Sequence, residues 1–189
     1  MDRVRELVKQ AQKNDLGAFE ELVRIYKDRI YGLCYQLTNN QADAQDLAQE
    51  VFIRAYTGLA SFRNEADFGT WLHRIAVNQW INFKRKQKRH NFISLDAPIQ
   101  TSEGEMTREV AVAEEDPQEI YEQMELQGFV RKALDQLSTE HRTVLVLREL
   151  QGYSYDEIAS VVGCTLGTVK SRINRARQAL KEMVNALSS

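Results

Sequence analysis

Apolar residues recur every three or four positions through most of the chain, and no stretch sustains period-two alternation, so the pattern predicts an all-α protein. Val4, Leu7, Val8 and Ala11 mark a first helical face, which breaks between Asn14 and Gly17. Phe19, Leu22, Val23, Tyr26, Ile30, Leu33, Cys34 and Leu37 then hold helical spacing up to the Asn39-Asn40 pair. A third helix, 41–57, has a stripe of Ala44, Leu47, Ala48, Val51, Phe52 and Ala55 and stops at Gly58. After a short loop from Leu59 to Asp67, Asp67 can cap a helix running from Phe68 to about Arg89, with Phe68, Leu72, Ile75, Ala76 and Phe83 expected on its buried side.

From about His90 to Glu115 the periodicity fails, and Pro98, Gly104 and a run of acids appear, as in a linker. Pro117 suits the first turn of a new helix that continues through Ile120, Met124, Val130, Leu134 and Leu137. Ser138 caps a further helix, 139–150. The stretch from Gln151 to Leu180 then reads as a helix-turn-helix. Ser154 and Glu157 form a capping box, Ile158, Ala159 and Val162 share one face, and Gly163 suits a left-handed helix end. Thr165 can cap a second helix from Leu166, whose buried stripe is Val169, Ile173, Ala176 and Leu180. The expected organisation is two small helical domains, 1–90 and 116–189, joined by a flexible acidic linker, 91–115.

Charge sharpens this division. The net charge is only −2, but residues 1–90 carry 15 basic and 11 acidic side chains, residues 91–127 carry 1 and 10, and residues 128–189 carry 9 and 6. Two basic modules that suit nucleic acid thus flank a segment that DNA would repel. The longest purely aliphatic run is Val144 to Leu147, so neither a signal peptide nor a membrane span is expected, and the protein should be cytoplasmic. Cys34 and Cys164 make no metal-ligand spacing with His73, His90 or His141, and no nucleophile-base set or phosphate loop is visible. No metal, no cofactor and no catalytic residue are expected, and both cysteines read as packing residues.

Three polar faces remain. The second helix of the helix-turn-helix presents Thr168, Lys170, Ser171, Arg172, Asn174, Arg175 and Arg177, donors that could lie along a major groove. On the helix from Phe68, Trp71, Arg74 and Asn78 share a line that leads into Lys84, Arg85, Lys86, Lys88 and Arg89. An aromatic, a base and an amide ahead of a basic run suit single-stranded DNA, although Trp71 and Trp80 are equally consistent with core aromatics. The outer side of the third helix mixes Asp46, Gln49, Glu50, Ile53 and Arg54. Periodicity alone would make it a solvated face.

DLAQEVFIRAY (46–56), SFRNEADFGTWLHRIAVN (61–78), REL-QGYSYDEIA (148–159) and GTVKSRINRARQAL (167–180), in this order, resemble extracytoplasmic function sigma factors, the small two-domain members of the sigma-70 family. The resemblance implies a protein that binds the core of a bacterial RNA polymerase and directs it to promoters. Its first domain would open and read the minus-10 element and its second the minus-35 element. It implies that Asp46, Gln49, Glu50, Ile53 and Arg54 dock on the clamp of the largest subunit. Phe62 and Asn78 would hold an everted non-template base, with Trp71 and Arg74 in the melting segment. Lys170, Ser171, Arg172, Asn174, Arg175 and Arg177 would belong to the minus-35 recognition helix, and that domain would meet the polymerase flap. The acidic linker would thread the active-site cleft and RNA exit channel. It further implies control by an anti-sigma factor, frequently membrane-anchored in the family, with no membrane insertion by the sigma factor itself. The competing expectation is a stand-alone helix-turn-helix regulator whose N-terminal helices sense a ligand or dimerise. Such a protein has no reason to carry the segment from Trp71 to Arg89.

Overall fold

In the computed structural model, which describes residues 2–63, 66–93, 128 and 132–187, all regular structure among the described residues is helical. The N-terminal half holds α1 (Asp2–Ala11), α2 (Leu16–Thr38), α3 (Gln41–Gly58) and α4 (Phe68–Ile93). The C-terminal half holds helical residues 132–136, then α5 (Thr139–Leu145), α6 (Tyr155–Val162) and α7 (Leu166–Leu187).

Most helix ends are local chemistry. Asp15 accepts from the amide of Ala18 at 3.1 Å, and Asn40 accepts from Asp43 at 3.0 Å just after Asn39 ends α2 in a left-handed conformation. Asp67 accepts from Gly69 at 2.9 Å, Ser138 from His141 at 3.3 Å, and Thr165 from Thr168 at 3.2 Å. Both bonds of the Ser154–Glu157 capping box are present, and Gly163 closes α6 with φ 67°. Each such cap is worth about 1 kcal/mol.

In the N-terminal half α2 is the central post, with Leu22, Ile30, Leu33 and Leu37 buried and α1, α3 and α4 packed around it. Cys34 is also buried, and burial pushes its thiol up to about 12, in keeping with a packing role. The C-terminal half closes over Val144, Leu147, Ile158, Val169, Ile173 and Ala176.

Four local expectations change. The segment after Gly58 contains a 3-10 turn, Leu59–Ser61, and α4 continues four residues past Arg89 to Ile93. The helix expected over 139–150 is α-helical only to Leu145 and then widens over Val146–Leu150, where the amide of Gln151 reaches the carbonyl of Val146 five residues back at 3.0 Å. On α4, Ile75 and Phe83 are only half-buried, and His73, Val77 and Trp80 are buried instead. The helix is turned because it has two neighbours, α2 and α3 on one side and the C-terminal half on the other. The expected helix from Pro117 lies outside the described residues except at 128 and 132–136, as does the linker beyond Ile93.

The two halves share one continuous apolar core, and a set of polar links also joins them. The Tyr153 hydroxyl lies 2.8 Å from Nδ1 of His73. Arg142, almost wholly buried, donates to the carbonyl of Gln36 through Nε (3.3 Å) and Nη2 (3.1 Å), pairs with Asp135, and sits 5.8 Å over the Trp80 ring. Gln151 donates to the side chain of Gln36 at 2.8 Å, and Asn39 to Asp135 at 2.6 Å. The wide turn after α5 and Gly152 (φ 72°) bring Tyr153 to this contact, and a side chain at Gly152 would be strained.

Candidate nucleic-acid interface

The first candidate face lies on α4. Arg74 and Asn78, one turn apart, are both exposed, and Trp71, a turn earlier, is half-buried. Trp71 leans on a cluster of rings, 4.8 Å from Phe62 and 5.6 Å from Phe68, and Phe68 meets Tyr26 at 5.4 Å. The start of α4 approaches α2 so closely that a Cβ on Gly69 would stand 2.9 Å from Cε1 of Tyr26 and 3.0 Å from Oδ2 of Asp67. Gln12 pins the preceding turn by donating to the carbonyls of Leu59 at 3.0 Å and Phe62 at 2.8 Å. Phe62 itself is buried. Its ring therefore backs Trp71 in this arrangement and is closed to a stacking base.

The basic run divides. Arg85, Lys86, Lys88 and Arg89 are exposed, but Lys84 is half-buried, with Nζ 4.9 Å over the Trp80 ring and 3.0 Å from Oε1 of Gln87. Burial, with Arg142 nearby, lowers its pKa. Lys84 is less available to a phosphate than its neighbours. The two tryptophans divide as well: Trp80 belongs to the core and Trp71 is only half-buried.

The second face lies on α7. Val169, Ile173 and Ala176 are buried and Leu180 is half-buried, so the opposite side carries the predicted donors outward. Lys170, Asn174 and Arg175 are exposed, and none has a side-chain hydrogen bond or ion pair among the described residues. Thr168 and Ser171 are engaged locally, Thr168 with the Thr165 hydroxyl at 2.9 Å and Ser171 donating to the Thr168 carbonyl at 3.0 Å. Arg172 is half-buried and pairs with Glu140 at 2.8 Å, while Arg177 pairs with Glu149 at 2.6 Å. Exposed pairs of this kind contribute about 0–1 kcal/mol, so a phosphate can displace the carboxylate. As the chain stands, these two arginines tie α7 to α5 and to the wide turn that follows α5, and Lys170, Asn174 and Arg175 are left as free donors among the described residues.

The third face lies on α3. Asp46, Gln49, Ile53 and Arg54 are exposed, and Arg54 pairs with the partly exposed Glu50 at 2.7 Å. Beside it runs an open apolar groove of about 450 Å³ between α2 and α3, lined by Leu16, Phe19, Val23, Phe52, Ile53 and Tyr56. Leu16, Ile53 and Tyr56 are 56%, 51% and 46% exposed, more than a solvated helix face needs. Leu16 and Tyr56 escape a reading by periodicity because each lies beside a stripe, and only the gap between two helices makes them a surface. No helix among the described residues is long and apolar enough to cross a membrane.

Residues 22–90 match the family model for sigma-70 region 2, and residues 130–180 match that for sigma-70 region 4. The chain is 38% identical over 185 residues to the ECF RNA polymerase sigma factor SigW of Bacillus subtilis, covering 97% of this chain and 98% of that one. It is 37% identical to the RNA polymerase sigma-H factor of Pseudomonas aeruginosa, covering 97% and 94%. Among solved structures it resembles the sigma factor RpoE of Bartonella quintana, in complex with the anti-sigma factor NepR, with TM-score 0.68, 26% identity and coverage of 88% and 96%. It also resembles CnrH, in complex with the cytosolic domain of CnrY, with TM-score 0.67, 26% identity and coverage of 98% and 99%.

Proposed function

The chain belongs to the extracytoplasmic function sigma factors of the sigma-70 family, and from that membership we propose how its three faces divide the work of promoter recognition. Sigma factors confer specificity on transcription initiation and are not enzymes. Residues 1–90 form the domain that binds core polymerase and reads the minus-10 element, 91–115 the linker, and 116–189 the domain that reads the minus-35 element. Asp46, Gln49, Glu50, Ile53 and Arg54 dock on the polymerase clamp, with the neighbouring groove taking an apolar side chain of the clamp. The C-terminal domain also meets the flap.

The observation that carries this reading is the presence of two separate donor faces of different chemistry on one chain. Lys170, Asn174 and Arg175 sit on a helix-turn-helix and suit the edges and phosphates of a duplex. Arg74 and Asn78, on the same line of α4 as the half-buried Trp71, suit an unpaired base, and Arg85, Lys86, Lys88 and Arg89 follow the backbone. Phe62 supports Trp71 from behind. Extruding a base from a duplex costs a few kcal/mol, which contacts made only to the extruded base can offset. Binding energy thus shifts a DNA equilibrium, with no bond made or broken by the protein.

An anti-sigma factor completes the proposal, supported by the anti-sigma factor NepR that the similar RpoE binds. The deciding experiment adds the protein to purified core polymerase and maps transcripts from genomic DNA. Promoter-specific starts should appear only in its presence. A folded protein that binds core yet yields no specific starts would overturn the reading.

A further inference from the structure

We infer that Gln12, at the end of α1, is a positioning residue for minus-10 recognition: it fixes the turn that backs Trp71 and so sets where the indole stands beside an unpaired base. The inference rests on the sigma-factor reading for what is recognised, and on geometry alone for the fixing of the turn.

The anchor is rigid because the chain is closed on both sides of it. Asn14 takes the left-handed conformation (φ 68°), and the amides of Asn14 and Asp15 turn back to the carbonyls of Ala11 (3.0 Å) and Gln10 (3.2 Å), the two bonds of a Schellman helix end. Asp15 then caps α2 through the amide of Ala18, so no slack separates the two helices. The backbone amide of Gln12 is held by the carbonyl of Val8 at 2.9 Å, and Val8 is itself buried. From this fixed point the side chain crosses to a turn 47 and 50 residues further along the chain, where Nε2 donates to the carbonyls of Leu59 (3.0 Å) and Phe62 (2.8 Å).

The residue type suits the task. A side-chain amide carries two N–H bonds on one nitrogen, one for each carbonyl, and no charge to desolvate, whereas a hydroxyl offers one such bond and a carboxylate none. The turn held in this way is the back wall of Trp71. The Phe62 ring lies 4.8 Å from the indole, and Gly58 approaches so closely that a Cβ there would stand 3.6 Å from Cζ2 of Trp71. Trp71 in turn shares its line of α4 with Arg74 and Asn78. The end of α1 thus reaches the base-reading face through two hydrogen bonds and one ring contact.

The test uses the full-length chain with purified core polymerase. Gln12→Met keeps the length of the side chain and removes both donors. Two neutral hydrogen bonds correspond to about a 30-fold shift between the held and the released turn. Discrimination among single-stranded oligonucleotides that carry the minus-10 element of a mapped promoter and differ at one base should fall by up to about 30-fold, with minus-35 duplex binding and core binding unchanged. In hydrogen exchange followed by NMR on the protein alone, the amides of Phe62, which donates to Leu59 at 3.1 Å, and of Trp71, which donates to Asp67 at 3.0 Å, should exchange faster while those of α7 do not. Val8→Ala loosens α1 without touching either bond, so it should lower the melting temperature and keep base discrimination. Equal losses of discrimination in Val8→Ala and Gln12→Met would make Gln12 a residue of general stability and overturn the proposal. Unchanged exchange at Phe62 and Trp71 in Gln12→Met would overturn the fixing of the turn, and faster exchange with intact discrimination would overturn its role in reading DNA. A native protein that discriminates no base at all would instead overturn the sigma-factor reading, and the role on DNA with it, while the faster exchange would leave the fixed turn standing.

Discussion

His73 ties the stability of this protein to pH. Its ring is buried and its Nδ1 lies 2.8 Å from the Tyr153 hydroxyl. Burial, helped by Arg29 and opposed by Asp67, lowers its pKa from 6.5 to about 4. In the unfolded chain the imidazole titrates near its ordinary value, so between these two limits the unfolded state binds more protons than the folded one. Stability from this group is therefore complete above about pH 6.5 and is lost progressively as the pH falls towards 4. Between pH 7.5 and pH 5 the loss works out at about 2 kcal/mol. Urea denaturation followed by circular dichroism at the two pH values measures it. The quantity to compare is the loss in the native protein against that in His73→Gln, so that every effect of pH other than that on His73 cancels. The native protein should lose about 2 kcal/mol more than the variant. Parallel pH profiles would refute the reasoning, because they would mean that the folded protein protonates His73 as readily as the unfolded chain does.

The other faces make their own predictions. Reversing charge at Asp46 and Glu50 with lysine should abolish binding to core polymerase in a pull-down while the helical circular dichroism stays unchanged. Arg175→Ala should cost about 1–3 kcal/mol of minus-35 discrimination if Arg175 reads a base, whereas Arg172→Ala, by losing its pair with Glu140, should also lower thermal stability slightly. Asn78→Ala should leave minus-35 duplex binding intact and lose base selection on a single-stranded minus-10 oligonucleotide, and the reverse pattern would exchange the two assignments. Neutralising Arg85, Lys86, Lys88 and Arg89 should weaken binding to all sequences alike and flatten its salt dependence by about 0.7–0.9 log units for each phosphate no longer neutralised, with Lys84 contributing least.

The helices and their ends were legible in the sequence because their causes are local. A capping box such as Ser154–Glu157 closes within three residues, Gly163 needs nothing beyond its own backbone conformation, and the stripe of Val169, Ile173 and Ala176 follows from 3.6 residues per turn. The donor face of α7 was legible for the same reason, being whatever the stripe leaves over. The buried side of α4 was not. Its residues from Trp71 to Trp80 are apolar on more than one side, and local spacing cannot decide which side a distant segment will cover. The C-terminal half decided it, burying His73 and Trp80 and leaving Ile75 half-open. Partnerships were likewise invisible: Arg142 finds the Gln36 carbonyl 106 residues away, Tyr153 finds His73 across 80, and Arg177 finds Glu149 across 28. A helical period records which way a side chain points from its own axis, whereas its hydrogen-bond partner depends on where another axis lies, and only the packed structure holds that information.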